Sequence, residues 1–169
     1  MKEESPIFQK IRERFSESVI SHHSFRGDHT VIIHKEYLYQ TMIFLRNDSD
    51  LQFNILMDLT AVDYLGSGYR FQVVYHLYSM DKNLRLRLKV PLLERDAIVE
   101  SLVPLWPCAD WYEREVFDMF GIRFSGHPGL KRILLYEEFE GHPLRKDYPI
   151  DKRQPLIGPG SKEDQEKRG

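Results

Sequence analysis

With 169 residues, 41% of them hydrophobic and 30% charged, the chain has the composition of one folded domain with a core of ordinary size. A formal net charge of −2 excludes long-range attraction to nucleic acid or to an anionic membrane surface. The single cysteine, Cys108, excludes an internal disulfide, and no stretch approaches the roughly 20 apolar residues that cross a bilayer. Behind the N-terminal Met1-Lys-Glu-Glu-Ser-Pro6 there is no apolar signal core. The chain is therefore expected to stay in the cytoplasm, and at a membrane another subunit would have to hold it.

Ile7, Ile11, Phe15 and Val19 recur at four-residue steps and predict an amphipathic helix over 7–20. His22-His23 reads as a surface pair. A short strand is expected at 29–34 around Val31-Ile-Ile33, a helix at 35–46 through Leu38, Met42 and Leu45, and a turn at Asn47-Asp-Ser-Asp50. Residues 53–64 are rich in apolar side chains and end at the turn Gly66-Ser-Gly68. Phe71, Val73, Tyr75 and Leu77 then alternate with Gln72, Val74, His76 and Tyr78. After Asp81-Lys-Asn83, Leu84, Leu86, Leu88 and Val90 share one face and Arg85, Arg87 and Lys89 the other. This period of two predicts a half-buried antiparallel hairpin.

A second crossing helix is expected over 94–103, stopped by Pro104 and Pro107. Asp110 stands where an N-cap belongs, with Glu113 three residues on, for a helix over 111–120 that ends at the C-capping Gly121. The order of elements predicts an α+β two-layer sandwich, helices over one face of a mostly antiparallel sheet. That domain would span 1–125, an extended partner-binding segment 126–158, and a polar mobile tail 159–169.

Chemistry-bearing residues concentrate after residue 110. Glu113, Glu115 and Asp118 place three carboxylates within two helical turns, and a pair could divide acid and base roles if burial split their pKa values. Arg114 lies four residues before Asp118, and Arg123, Lys131 and Arg132 follow, so a charge-paired brace between this helix and the later loops is the favoured reading. His127 and His142 could ligate a metal, together with Glu113 or Asp118, but each precedes a proline in a Gly-His-Pro turn and lacks metal-ligand spacing. The aromatics Trp106, Trp111, Tyr112, Phe117 and Phe120 suit core or interface packing, and the basic face Arg85, Arg87, Lys89 suits solvent. One cysteine cannot hold an iron–sulfur cluster by four thiolates, and haem-attachment, dinucleotide, Walker and nucleophile-elbow signatures are missing.

Three blocks in this region carry a resemblance. They are Glu113-Arg-Glu-Val-Phe-Asp-Met-Phe-Gly-Ile122, Gly126-His-Pro-Gly-Leu-Lys-Arg-Ile-Leu134 and Gly141-His-Pro-Leu-Arg-Lys-Asp-Tyr-Pro149. Lys152-Arg-Gln-Pro-Leu-Ile157, Asp58-Leu-Thr-Ala-Val-Asp-Tyr64 and Phe71-Gln-Val-Val-Tyr-His-Leu-Tyr78 extend it. Over about residues 50–158 the chain resembles the 30 kDa subunit family of respiratory complex I, the bacterial NADH–quinone oxidoreductase, in its unfused form.

The resemblance implies a cofactor-free scaffold in the peripheral arm, on the cytoplasmic side of the membrane and without direct membrane insertion. It would pack against the large quinone-site subunit and lie near iron–sulfur subunits. Flavin, iron–sulfur clusters, NADH and quinone would be held by those partners. The motif residues Glu113, Arg114, Glu115, Asp118, Gly121, His127, Lys131, Arg132, His142, Arg145, Lys146 and Asp147 would then form the partner interface, their charges paired within the chain or across it. Related subunits serve membrane-bound hydrogenases and NAD(P)H dehydrogenase-like complexes. A reading of a different class is a free-standing hydrolase with Glu113 or Glu115 as base and a metal at His127 or His142.

Overall fold

In a computed structural model, which describes residues 6–154, five strands form one sheet in the order β1-β2-β5-β4-β3. The strands are β1 (Val19–Phe25), β2 (Asp28–Ile33), β3 (Ile55–Asp63), β4 (Phe71–Ser79) and β5 (Leu84–Leu92). Neighbours are antiparallel except β2 and β5, which run parallel. The two-residue alternation decides which face is dry. Phe71, Val73, Tyr75 and Leu77 of β4 lie level with Leu92, Val90, Leu88 and Leu86 of β5, and all eight are buried. Arg85, Arg87 and Lys89 point the other way, Arg87 donating to Thr30 Oγ1 at 3.3 Å and Arg85 lying over the Tyr78 ring.

The dry face is covered by α1 (Pro6–Arg14), α2 (Leu38–Asn47) and α3 (Ala109–Phe120). Ile7 and Ile11 come from α1, Leu38, Met42 and Leu45 from α2, and Val116, Met119 and Phe120 from α3, all in one core. This is the expected α+β sandwich. Helix α3 and the loop before it are set across β3 by side chains that use carbonyls of that edge strand and of Asn54 just before it. Trp106 Nε1–H donates to Asn54 O at 3.1 Å, Cys108 Sγ–H to Leu56 O at 3.7 Å, and the Tyr112 hydroxyl to Met57 O at 3.2 Å.

Three expectations are corrected. The helix over 7–20 stops at Arg14; Ser16–Ser18 make one 3-10 turn and Val19 opens strand β1. The Ser18 hydroxyl donates to Phe15 O at 2.7 Å, competing with the helix ladder, and β-branched Val19-Ile20 then favour extension. Phe15 keeps its place in the stripe by packing edge-to-face on Phe44 at 5.7 Å between centroids. The helix over 94–103 is also replaced, by a single turn at Glu94–Asp96 and strand β6 (Ile98–Glu100), which pairs parallel with β7 (Arg123–Ser125). Its partner strand lies beyond the whole of α3 in the chain, so no local pattern announced it.

The third correction concerns the start of α3. Asp110 is not the N-cap: the helix begins at Ala109 after Cys108, because Ala109 and Asp110 already donate to Trp106 O and Pro107 O. Glu113 turns inward instead of closing a capping box. His22 of the exposed pair stacks on Phe8, with ring centroids 3.5 Å apart. Beyond Ser125 the described chain contains no further helix or strand. The expected tail at 159–169 and the last residues of the 126–158 segment lie outside the described residues.

Candidate functional site

A helix leaves its last four carbonyls without partners. In α3 these belong to Phe117, Asp118, Met119 and Phe120, and each is used. Gly121 N–H donates to Phe117 O at 2.8 Å, and Leu144 N–H donates to Met119 O at 3.1 Å. The His142 ring, through Nδ1, meets Asp118 O at 2.9 Å, and Arg145 Nε–H donates to Phe120 O at 2.6 Å. Three of the four partners come from the second Gly-His-Pro block, so that block is the cap of α3. The Arg145 cation also complements the negative end of the helix dipole. Burial lowers the His142 pKa, and the nearby guanidiniums of Arg145 and Arg132 add to that.

Asp118, fully buried, ties the intervening loop to the same helix. Its Oδ1 takes Arg132 at 2.6 Å, and its Oδ2 takes the amides of Ile133, Leu134 and Leu135 at 3.1, 2.9 and 2.9 Å. Burial pushes this carboxyl up, but the Leu135 amide, the Arg132 guanidinium and the other two amides outweigh it and hold the pKa below the usual carboxylate range. Arg132 spans further, donating to Phe139 O and Gly141 O. Arg114 does not pair with Asp118; it donates to the carbonyls of Lys131 and Arg132 at 3.2 and 3.0 Å.

A second buried cluster sits at the end of the β3–β4 hairpin. Arg70 forks onto Asp63 (Nε to Oδ1 3.1 Å, Nη2 to Oδ2 3.0 Å) and also reaches Glu94 and, at 2.6 Å, Asp147. Asp63 Oδ2 accepts the Lys146 amide at 2.8 Å. The chain after α3 is thereby bolted to the sheet as well as to the helix. Burial raises Asp63, yet the bonds from Arg70 and Lys146 bring it below the usual range, and Asp63 and Asp147 in turn raise the Arg70 pKa. Arg70 and Arg145 both approach the Phe71 ring, 5.1 and 5.2 Å from its centroid.

Asp63 and Arg70 are absent from the residues that sequence reasoning singled out. A signal was present: Asp63 continues the inward parity of Leu59 and Ala61, and a carboxylate on a core-facing register demands a buried cation. Of the remaining motif residues, Glu115 and Lys131 are exposed, while Glu113 is fully buried and paired with no cation. His127 accepts the Gly129 amide on Nδ1 at 3.0 Å and turns Nε2 to Asp110, with Oδ1 at 3.0 Å.

The two histidines serve opposite ends of α3. Asp110 and Asp118 are eight residues, about 12 Å, apart along the helix, too far for one metal to be shared. Glu113 and Asp118 do have pKa values split by their surroundings, but both are sealed from solvent, which leaves a substrate no access. A concavity of about 350 Å3 opens instead on the uncovered sheet face, beside Asp58, His76, Arg85 and Arg87.

Sequence comparison matches residues 31–154 to the family described as the respiratory-chain NADH dehydrogenase 30 Kd subunit. The chain belongs to this family. A relative from Citrifermentans bemidjiense, named as a subunit of NADH-quinone oxidoreductase, is 46% identical over 160 residues, 94% of this chain and 98% of that protein. A solved trypsin-resistant fragment (1–134) of Nqo5 superposes with a TM-score of 0.64 at 29% identity, over 73% of this chain and 99% of that one. A chain of the membrane-bound sulfane sulfur reductase, an archaeal respiratory membrane complex, gives a TM-score of 0.69 over 85% of this chain and 84% of its own, at 22% identity. That last likeness bears on the fold alone.

Membership in the 30 kDa subunit family makes this chain a component of an oxidoreductase complex. No helix among its described residues is long and apolar enough to cross a membrane. In this 30 kDa-family chain, the motifs behind the resemblance cap one helix and bolt the irregular segment after it to that helix.

Proposed function

We propose that this chain is a cofactor-free scaffold of the peripheral arm of a proton-translocating NADH–quinone oxidoreductase. It docks on the large quinone-site subunit through the outer side of α3 and the segment that follows it. Iron–sulfur subunits lie nearby, and flavin, clusters, NADH and quinone belong to the partners. The partners hold the chain on the cytoplasmic side of the membrane. Its single cysteine and the naming of its relatives as NADH-quinone oxidoreductase subunits support this reading.

The observation that carries it is a set of large apolar side chains left outside on a backbone that is tied down. Trp111 is 66% exposed, Leu134 63%, Leu144 51% and Ile150 fully. Leu134 and Leu144 follow directly from the backbone bonds to Asp118 and Met119, so their exposure is built in. Exposed apolar side chains on a fixed backbone are expected of an interface, and Glu115 and Lys131 are exposed charges on the same helix and segment.

The test is gentle detergent extraction from the native host, using this chain as bait. The large quinone-site subunit and iron–sulfur subunits should co-purify with NADH–quinone activity. Leu134→Glu should cut the recovered complex by tenfold or more, about 2 kcal/mol of interface energy, with the melting temperature of the chain unchanged. Glu115→Gln should lower assembly less severely, as loss of a charge facing the partner. Normal assembly and activity in both variants would overturn the reading.

A further inference from the structure

We propose that Glu113 is a proton-operated lock on the core side of α3: the packed state holds it as a neutral acid, and loss of its proton loosens the helix. Its side chain is completely shielded from solvent, at 0% exposure. Glu113 Oε1 accepts the Leu102 amide at 2.7 Å. Its Oε2 and the Tyr75 hydroxyl have no hydrogen-bond partner.

The bare Glu113 Oε2 is the reason to assign a proton. A buried carboxylate is tolerated when cations or several donors saturate it, as Asp118 demonstrates more than a turn further along the same helix. Glu113 has no cation and leaves one oxygen bare. A carboxylic acid at that oxygen is neutral and leaves no charge for the core to offset. Tyr75 keeps its own proton, because burial and then the proximity of Glu113 raise its pKa well above the ordinary value.

Burial pushes the Glu113 carboxyl up to about 7. The Ser101 hydroxyl and Leu102 amide, from the loop before α3, pull it down by less, and Asp110 on its own helix adds to the rise. The charged group acting on it is thus Asp110, an anion. The folded state holds an extra proton between the ordinary carboxyl value of 4.5 and about 7. The resulting stabilisation is full below the lower value and is lost as pH rises through the upper one. Asp63, Asp118 and Asp147 have lowered pKa values and act below that window, whereas the lowered His76 and His142 act within it with the opposite sign, so the Glu113 effect is read as a difference from a variant that keeps both histidines.

Any consequence for docking rests on the function proposed above, since Trp111 and Glu115 stand on the outer side of the same helix. The lock itself is a property of the chain, so failure of the co-purification would leave it untouched. The experiment uses the full chain between about pH 5 and 8.5, a range that brackets the titration. Across this range the thermal midpoint of the unsubstituted chain should fall relative to that of Glu113→Gln, which keeps shape but has no proton to lose. Hydrogen exchange of the α3 amides should speed up over the same range only in the unsubstituted chain. Independently of any variant, infrared spectra should show a protonated-carboxyl band that disappears with a midpoint near the value of about 7. Parallel pH profiles in the two proteins, or no such band at the acid end of the range, would overturn the proposal.

Discussion

Two carboxylates on one helix, Glu113 and Asp118, have opposite fates, and the difference is entirely in their neighbours. Asp118 has a guanidinium and three amides to itself; Glu113 has one amide and a nearby hydroxyl on one side and a bare oxygen on the other. A search for acids and bases would have paired them by spacing, yet one is a structural anchor and the other a buried acid. The Arg70–Asp63 pair follows the logic of Asp118. With side chains only 5% and 0% exposed, it stands or falls as a unit. Arg70→Met should strand the Asp63 charge and cost about 3–5 kcal/mol, read as a fall in the urea midpoint. Pairing it with Asp63→Leu should recover part of that loss, and a double variant as unstable as the sum of both singles would refute the coupling.

At the scale of elements, α3 is the piece on which the rest of the C-terminal half depends, and its end is the tightest point. Gly121 has φ +73°, and a Cβ placed there would lie 2.5 Å from both Arg145 Nη2 and His142 Nε2. Glycine is thus required twice, for its left-handed backbone and for the space the capping side chains occupy. Gly121→Ala should destabilise by about 2–4 kcal/mol, more than the roughly 1 kcal/mol of an ordinary left-handed glycine, because it also displaces the cap. A loss of under about 1 kcal/mol in chemical denaturation would mean that the cap swings aside freely. The helix, its C-cap and the β4–β5 hairpin were legible because each is written in local spacing. The β6–β7 pair was not, since so short a strand has too few positions to set a period and its partner lies on the far side of α3 in the chain.

Across the whole molecule, the sheet and α3 act together as the mould for residues 126–154, which have no helix or strand to hold them. Their shape comes from side-chain anchors at Asp118, Asp63, Arg70 and the end of α3. An irregular segment fixed in this way can present Leu134, Leu144 and Ile150 without collapsing onto the core. Arg145→Ala removes both the bond to Phe120 O and the contact over Phe71. Limited proteolysis should therefore cut this variant between residues 126 and 154 several times faster, with the sheet domain left intact. Equal cutting rates would show that the remaining anchors suffice.

The sequence by itself determined the α+β class, the hairpin, the C-capped helix and the family. Alternation, helical spacing, a terminal glycine and contiguous motifs are all short-range properties of the chain. It also marked Asp118, His142 and Arg145 as residues of a partner interface with paired charges. Only the tertiary structure decided that Asp118 takes Arg132 and three amides, that the second Gly-His-Pro block caps α3, and that Asp63 and Arg70 join the same assembly. It alone separated Glu113 from its neighbours by burying it without a cation. The physical reason is that burial and hydrogen-bond saturation are set by residues distant in sequence; Lys146 meets Asp63 across 83 positions, and no local period encodes such a contact.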